Sequence, residues 1–289
     1  MTEYDSKALT KAVVKRLSNT PNKRLRRILA SLVTHMHDFV RDVRLTEAEW
    51  AFAIDFLTRT GQKCDDKRQE FILLSDTTGV SMLVDFLNHA NRKDVTPSTV
   101  EGPFWIDGSP WLKMGDSILL DGKGEPCHIS GKVTDPKGKP IKGAVLDVWQ
   151  GNADGFYALQ QPGIQPEYNL RGRFKTGADG SYAFRSCKPV PYPVPTDGPV
   201  GAMLKATHRH PMRPPHVHFI IEAEGYAPLT THLFPKGGKY LDSDAVFGVK
   251  NRLIVPFKKR TDAAEARALG FDKAPYYKAE YDFTLQPAR

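Results

Sequence analysis

Apolar residues recur with two different periods along this chain. Over residues 1–92 they return every three or four positions, most clearly over 25–40 and 71–87, which is the spacing of amphipathic α-helices. Thr46 and Glu49 form a capping-box pattern before a further helical run. We therefore predict a helical N-terminal region and interpret its apolar stripes as core packing.

From about residue 95 the apolar runs become short, and glycine, proline and turn sequences separate them. Short β-branched and aromatic runs between turns are typical of strands. The predicted strands are 129–134, 144–150, 171–175, 182–185, 217–222, 229–234, 252–256 and 279–285. A short helix is predicted at 263–269, with Asp262 at its N-cap. Many short strands indicate a β-sandwich or barrel, so we predict a helical domain at 1–95 and an all-β domain at 96–289.

The strand predicted at 217–222 follows the sequence R-P-P-H-V-H at 213–218. Because strand side chains alternate between faces, His216 and His218 point the same way, while Val217 points into the opposite layer. Two imidazoles on one face can form half of a metal site. The pattern H-x-H is short and common, however, and two ordinary histidines on a polar face are the alternative.

The overall composition narrows the possible functions. The chain has 289 residues and a net charge of +8, which alone is compatible with nucleic-acid binding. The basic residues are spread and show no zinc-finger or RNA-recognition pattern, so we predict no nucleic-acid partner. No run approaches about 20 consecutive apolar residues, which predicts no membrane insertion. Cys64, Cys127 and Cys187 lie far apart, which indicates free thiols in a cytoplasmic protein.

Two tyrosines lie in loops with unusual sequences. Tyr157 ends a loop rich in glycine, asparagine and aspartate, and Tyr192 lies in the proline-rich sequence 189–195. A single loop tyrosine is usually a packing residue with a hydrogen-bonded hydroxyl. Taken singly, neither tyrosine indicates a site.

Taken together, these motifs resemble those of the intradiol ring-cleavage dioxygenases. The matching segments are D-G-F-Y at 154–157, P-x-P-Y-P around Tyr192 and R-P-P-H-V-H at 213–218, in that order. The resemblance extends over nearly the whole chain, since 73–77 and 101–104 also look like segments of this family. It implies one non-haem Fe(III) per subunit, held by four ligands: Tyr157, Tyr192, His216 and His218. Phenolates are hard anionic donors that suit ferric iron.

The resemblance also implies the reaction and its residues. An aromatic diol reacts with O2 and its ring opens to a dicarboxylic acid. Tyr192 is the ligand that is displaced and accepts a substrate proton, and Arg213 stabilises negative charge that develops on the substrate. The implied substrate-binding residues are Leu73, Asp76, Val100, Glu101, Gly102, Pro103, Phe104, Val194, Pro195, Thr196, Arg213 and His232. Whether Glu101 enters the pocket or turns into the domain junction stays open.

Two segments look most like the hydroxyquinol 1,2-dioxygenase branch of the family. They are 240–250 and the strand containing His232, where the family often has glutamine. Hydroxyquinol is catechol with a third hydroxyl, from which Asp76 could accept a hydrogen bond. The expected product is 3-hydroxy-cis,cis-muconate or maleylacetate. The alternatives are a catechol 1,2-dioxygenase, which gives cis,cis-muconate, and an iron-free β-sandwich binding module. The resemblance further implies a homodimer through the helical domain, with a possible bound phospholipid at its interface.

Overall fold

The computed structural model of the protein describes residues 5–65, 68–89 and 93–288. Backbone contacts divide the chain into two units, 1–59 and 60–289. The domain boundary predicted at residue 95 stays a prediction.

Residues of the first unit form helices α1 (Ser6–Arg16), α2 (Lys23–Val43) and most of α3 (Glu47–Gln62). The side chains of Asp5 and Asn22 accept hydrogen bonds from backbone N–H groups in the first turns of α1 and α2. The predicted capping box is confirmed, because the Thr46 N–H donates to Glu49 Oε2 at 2.9 Å and the Glu49 N–H donates to Thr46 Oγ1 at 3.3 Å. Each of these three helices is therefore started by a signal that is visible in the sequence.

The apolar stripe of α2 does not form a core. None of the residues of α2 is buried, and seven large apolar side chains are exposed: Leu25, Ile28, Leu32, Met36, Phe39, Val40 and Val43. Most apolar residues of the run 71–87 are also exposed, among them Phe71, Leu83 and Leu87. The interpretation as core packing is therefore wrong for α2 and for most of 71–87, where Leu73 and Met82 are nevertheless buried in an apolar cluster. Periodicity shows that one face of a helix is apolar, but it does not show which surface covers that face.

In its described residues, the second unit contains the strands and four further α-helices. The helices are α4 (Glu70–Thr77), α5 (Val80–Asn88), α6 (Pro199–Ala206) and α7 (Ala263–Ala268). The strands are β1 (Pro126–Thr134), β2 (Val145–Trp149), β3 (Arg171–Lys175), β4 (Ser181–Cys187), β5 (Tyr192–Pro193), β6 (Met212–Arg213), β7 (Val217–Glu222), β8 (Leu229–Pro235), β9 (Ile254–Val255), β10 (Lys258–Arg260), β11 (Tyr276–Glu280) and β12 (Phe283–Thr284).

The strands form two five-stranded sheets and one short two-stranded ribbon. The first sheet has the order β10-β11-β1-β12, with β4 also paired to β1, and the second has the order β3-β2-β7-β8-β9. Side chains from both sheets meet in one buried cluster that includes Ile129, Phe184, Val148 and Phe219. Two sheets that share one core confirm the predicted β-sandwich.

Several elements differ from the sequence prediction. Strands β5, β6 and β10 were not predicted, and the strand predicted at 252–256 is a 3-10 helix (Asn251–Leu253) followed by the short β9. The strand predicted at 279–285 is two strands, because the side chain of Asp282 accepts the Lys132 N–H at 2.8 Å where a backbone partner would otherwise lie. Helix α6 was not predicted, since its surroundings are rich in proline and glycine. Pro199 lies in its first turn, where a backbone N–H would have no partner within the helix, so a proline costs no hydrogen bond there.

Other sequence signals are confirmed. Asp262 caps α7 and accepts hydrogen bonds from the N–H groups of Ala264 and Glu265. The three cysteines are free. None of the helices in the described part of the chain has the length and apolar content that crossing a membrane requires.

Candidate metal centre

The histidine pair lies on the polar face of β7. Val217 and Phe219 enter the sandwich core, whereas His216 and His218 are buried on the opposite side. His218 is paired in register with Trp149 of β2 and with His232 of β8. The Trp149 ring stacks on the His218 ring at a centroid distance of 4.6 Å. Strand alternation therefore places the two histidines as predicted.

Two loops bring the tyrosines to the same place. The loop after β2 is closed by Asn152, whose Oδ1 accepts the N–H groups of Asp154 and Phe156. Gly155 follows with a φ of +83°, and a Cβ there would lie 3.0 Å from the Cβ of Tyr192. Only glycine allows both this backbone conformation and this close approach. The loop of Tyr157 is thereby packed directly against Tyr192.

Four polar atoms converge at this position. The Tyr157 hydroxyl lies 3.0 Å from the Tyr192 hydroxyl and 2.8 Å from His218 Nε2. His216 Nε2 lies 3.1 Å from His218 Nε2 and 3.4 Å from the Tyr192 hydroxyl. The four predicted ligands therefore present two oxygen and two nitrogen atoms to one small region.

This donor set fits a metal ion. Atoms that bind one first-row metal ion at about 2.1 Å lie roughly 3 Å apart, which agrees with the observed separations. The backbone carbonyl of Pro214 can only accept, so His216 Nδ1 donates to it at 2.7 Å and Nε2 keeps its lone pair. Hard oxygen donors combined with imidazoles suit iron better than a thiolate set would.

Burial sets the protonation of these groups. It raises the pKa of Tyr157 well above its ordinary value, Tyr192 adds to the increase, and the positive charge of Arg213 opposes it. Burial also raises the pKa of Tyr192 and lowers the pKa of His216 and His218 well below the ordinary value. The imidazoles are therefore neutral and able to bind a metal ion, whereas each phenol releases its proton when a cation binds.

His232 lies behind the histidine pair. Its Nε2 is 2.8 Å from Nδ1 of His218, the ring nitrogen that faces away from the four converging atoms. The three histidines could by themselves form a metal site, because their nitrogens lie within 4.8 Å of one another. Through its contact with Nδ1 of His218, His232 is instead positioned to orient a predicted ligand.

Arg213 faces the same atoms from β6. Tyr192 and Arg213 are register partners of the ribbon that β5 and β6 form. Nη1 of Arg213 lies 3.1 Å from His216 Nε2 and 3.4 Å from the Tyr192 hydroxyl. On its other side the buried guanidinium forms an ion pair with Asp244, with distances of 3.2 and 3.4 Å. A permanent positive charge is thus fixed beside the four converging atoms.

A cavity of about 350 Å³ lies beside the tyrosines. Six of the predicted substrate-binding residues line it: Leu73, Pro103, Phe104, Val194, Pro195 and Thr196. The ring of Phe104 also stacks on Tyr157 at a centroid distance of 4.5 Å. Phe104 therefore connects the two features, because it lines the cavity and also contacts Tyr157, whose hydroxyl is one of the four polar atoms.

The remaining predicted substrate-binding residues are not among those that line this cavity. Val100 packs with Leu73 in a buried apolar cluster. Gly102 has a φ of +80°, and a Cβ there would lie 3.5 Å from His218 Cε1. Asp76 is buried on α4, one turn after Leu73, and burial raises the pKa of its carboxyl. Glu101 is exposed, and partial desolvation raises its pKa.

The sequence analysis missed two residues of this site, Trp149 and Asp244. Alternation along β2 could have identified Trp149, because Leu146 and Val148 point into the core and Trp149 points away from it. Asp244 had no comparable signal, since its partner Arg213 is 31 residues away in the sequence.

Comparisons with known proteins agree with this geometry. Residues 100–287 match the family model described as "Dioxygenase", and residues 22–96 match "Catechol dioxygenase N terminus". The chain is 50% identical to a 6-chlorohydroxyquinol 1,2-dioxygenase of Cupriavidus pinatubonensis over 99% of both chains. It is 48% identical to a hydroxyquinol 1,2-dioxygenase of a Rhizobium species, over 94% of this chain and 92% of the relative. A hydroxyquinol 1,2-dioxygenase structure from Pseudomonas putida superposes with a TM-score of 0.91 and 49% identity, over 98% of this chain and 99% of that one.

Proposed function

Because the chain belongs to the intradiol ring-cleavage dioxygenases, a family of non-haem iron oxidoreductases, we propose that it cleaves the ring of hydroxyquinol with O2. The product is 3-hydroxy-cis,cis-muconate, or maleylacetate as its keto form. The observation that carries the proposal is the convergence of two phenol oxygens and two imidazole nitrogens beside a cavity. The names of the two relatives described above supply the substrate class.

We propose Tyr157, Tyr192, His216 and His218 as the ligands of one Fe(III) per subunit. The bound ion would hold the two adjacent oxygens of the diol and make the ring reactive towards O2. Tyr192, which would be a phenolate with a cation bound, accepts one proton from the diol and becomes a neutral phenol, while Tyr157 and Arg213 lie within hydrogen-bond distance of its oxygen. Arg213 stabilises negative charge on the bound substrate, because its guanidinium is buried and reaches the same atoms.

The cavity supplies binding and selectivity. Its apolar residues, such as Leu73 and Val194, pack against the aromatic ring of the substrate and exclude water from it. Asp76 accepts a hydrogen bond from the third hydroxyl of hydroxyquinol, a group that catechol lacks. A buried carboxylate left without its partner is unfavourable, so Asp76 favours hydroxyquinol over catechol.

Oxygen uptake and product analysis test the proposal. The iron-loaded protein should consume one O2 per hydroxyquinol and turn it over with a higher kcat/KM than catechol. The variant Asp76→Ala should lower kcat/KM about tenfold or more for hydroxyquinol, the loss expected for one hydrogen bond to a charged group, and less for catechol. Equal losses for the two substrates would contradict the role of Asp76, and an absence of O2 uptake with either diol would contradict the proposed reaction.

We also propose that the helical region 1–95 forms a homodimer. The support is the exposed apolar stripe of α2, which a partner subunit or the acyl chains of a phospholipid would cover. Light scattering should give twice the mass of one chain, and mass spectrometry of an organic extract should detect phospholipid. A monomeric mass would contradict the dimer, and a lipid-free extract would contradict the bound lipid.

A further inference from the structure

Two buried carboxylates lie near the guanidinium of Arg213. Asp244 forms the ion pair described above, and the side chains of both partners are almost fully buried, with 3% and 2% exposed. Asp76 is the second carboxylate, and it is 3% exposed. Only one of the two acidic side chains is bound to the arginine in this structure.

Other contacts bring the backbone segments that carry Asp76 and Asp244 together. The guanidinium of Arg209 donates to the Thr77 carbonyl at 2.7 Å and to the Ala245 carbonyl at 3.1 Å. These two acceptors directly follow Asp76 and Asp244 in the sequence. In addition, Leu73 of α4 and Val246 pack in the same apolar cluster. The C-terminal end of α4 and the turn 244–248 therefore adjoin on one side of Arg213.

The turn itself fixes the orientation of Asp244. Its carboxylate oxygens accept the Val246 N–H at 3.3 Å and the Gly248 N–H at 3.0 Å. A Cβ on Gly248 would lie 3.1 Å from Nη2 of Arg213 and 3.3 Å from Oδ2 of Asp244. The glycine therefore leaves the space that the ion pair needs, and Asp244 presents both oxygens to Arg213.

Every nitrogen of the Arg213 guanidinium already has a partner here, since Nε and Nη2 bind Asp244 and Nη1 faces Tyr192 and His216. A buried arginine that loses its carboxylate is strongly destabilised, and it recovers that loss by pairing with another one. Burial raises the pKa of the Asp76 carboxyl, Ser81 and the positive charge of Arg213 oppose that increase, and Asp244 adds to it. The charges of both members of the ion pair therefore act on Asp76, which makes it the candidate substitute partner.

We propose that Asp244 is a specificity-determining positioning residue. By binding Arg213, it directs the guanidinium towards Tyr192 and His216 and leaves Asp76 free for the third hydroxyl of the substrate. Without Asp244, Arg213 pairs with Asp76, and the hydrogen-bond acceptor that distinguishes hydroxyquinol from catechol is lost. This inference rests on the proposed function, because it concerns the selectivity of that same site.

The test compares the ratio of kcat/KM for hydroxyquinol to that for catechol in four variants. Asp244→Asn removes the charge, and the ratio should fall about tenfold, as in Asp76→Ala. The double variant should show no further fall in the ratio, since both substitutions remove the same contact. Asp242→Asn, an exposed position in the same segment, is the matched control and should keep the ratio of the wild type.

Two further measurements separate positioning from a purely structural role. Asp244→Glu keeps the charge and should retain more of the ratio than Asp244→Asn does, although it disturbs the turn at least as much. A crystal structure of Asp244→Asn should show Arg213 paired with Asp76. Iron content and thermal unfolding of each variant show whether it is folded.

Three results would overturn the inference. The first is an unchanged ratio in a folded Asp244→Asn variant while Asp76→Ala loses selectivity. The second is a double variant whose losses multiply, and the third is an Arg213 that stays in place in the Asp244→Asn structure. An unchanged ratio in Asp76→Ala itself would instead contradict the proposed role of Asp76, and this inference with it.

Discussion

Polar side chains are usually exposed and apolar side chains usually buried, and two surfaces of this protein break that rule in opposite ways. One is the face of the second sheet that carries the histidines, and the other is the apolar face of α2. On the sheet face, His216, His218 and His232 are buried together with Arg213. On α2, large apolar side chains such as Leu32 are exposed. Scattered exposed apolar residues are normal in proteins, but buried polar groups and contiguous exposed apolar faces are informative.

The two departures call for different explanations. The buried polar groups bind one another, since every imidazole and phenol of the site contacts at least one other member. The four proposed ligands all come from one chain, and we propose that a cation binds between them. The apolar face of α2 is incomplete within one chain, and what it requires is a covering surface. The first region therefore indicates a metal site for catalysis, and the second indicates an interface with another subunit or a lipid.

The largest effect is expected from removing one ligand. Tyr157→Phe should lower iron affinity more than about 100-fold, because even the partners of metal ligands are worth roughly 10- to 100-fold. Tyr182→Phe is the matched control, since Tyr182 is another buried tyrosine whose hydroxyl donates to the Tyr281 carbonyl at 2.8 Å. It should cost about 1 kcal/mol of stability and keep its iron. Metal analysis measures both, and equal iron contents would contradict the ligand assignment.

The next largest effect concerns the charge beside the site. Arg213→Lys should keep the iron but lower kcat about 100- to 1000-fold, because an ammonium group cannot bind Asp244 with two parallel hydrogen bonds while it also reaches the substrate. Steady-state kinetics with matched iron contents measure the change. A kcat within threefold of the wild type would contradict the proposed role of the guanidinium in stabilising negative charge on the substrate.

A change on the apolar face of α2 should affect assembly and leave the chemistry intact. Replacing Leu32 and Met36 together by aspartate should convert the proposed dimer to monomers, because an interface core excludes charge. Replacing Arg24 and Arg27 together by glutamine changes the net charge equally on the same helix and should leave the dimer intact. Sedimentation velocity distinguishes these masses, and kcat should stay within about twofold. A dimer that survives the aspartates would place the interface elsewhere.

The smallest effect is expected from a surface ion pair. Arg59 contacts Asp55 at 2.7 Å across one helical turn of α3, and both side chains are largely exposed. Arg59→Ala should lower the free energy of unfolding by about 0.5 kcal/mol or less. Chemical denaturation measures this change. A loss several times larger would mean that exposed charges matter here as much as the buried pair of Arg213 and Asp244.

The sequence predicted local features well. Alternation around His218 placed both histidines on the site face, and the Thr46–Glu49 pattern identified the start of α3. Both of these features are encoded in a few neighbouring residues, so their spacing was sufficient. That the two tyrosine loops meet the histidines was instead implied by the resemblance to the intradiol dioxygenases.

Features that depend on distant pairings could not be predicted in the same way. The Arg213–Asp244 pair joins two segments that only the fold brings together. The covering of the α2 stripe depends on surfaces outside the helix itself. The division of the last predicted strand depends on Asp282 finding Lys132 on β1, 150 residues away. Periodicity contains no information on such partners.

The central claim is that two phenol oxygens and two imidazoles hold a ferric ion that binds the diol. The most direct measurement is an anaerobic visible spectrum of the iron-loaded protein, titrated with hydroxyquinol and, in parallel, with catechol. We predict a coloured resting protein whose absorption band moves to longer wavelength on binding, with tighter binding of hydroxyquinol and bleaching when air is admitted. A protein that stays colourless after loading with iron would contradict the ferric site. Tighter binding of catechol would contradict the choice of substrate.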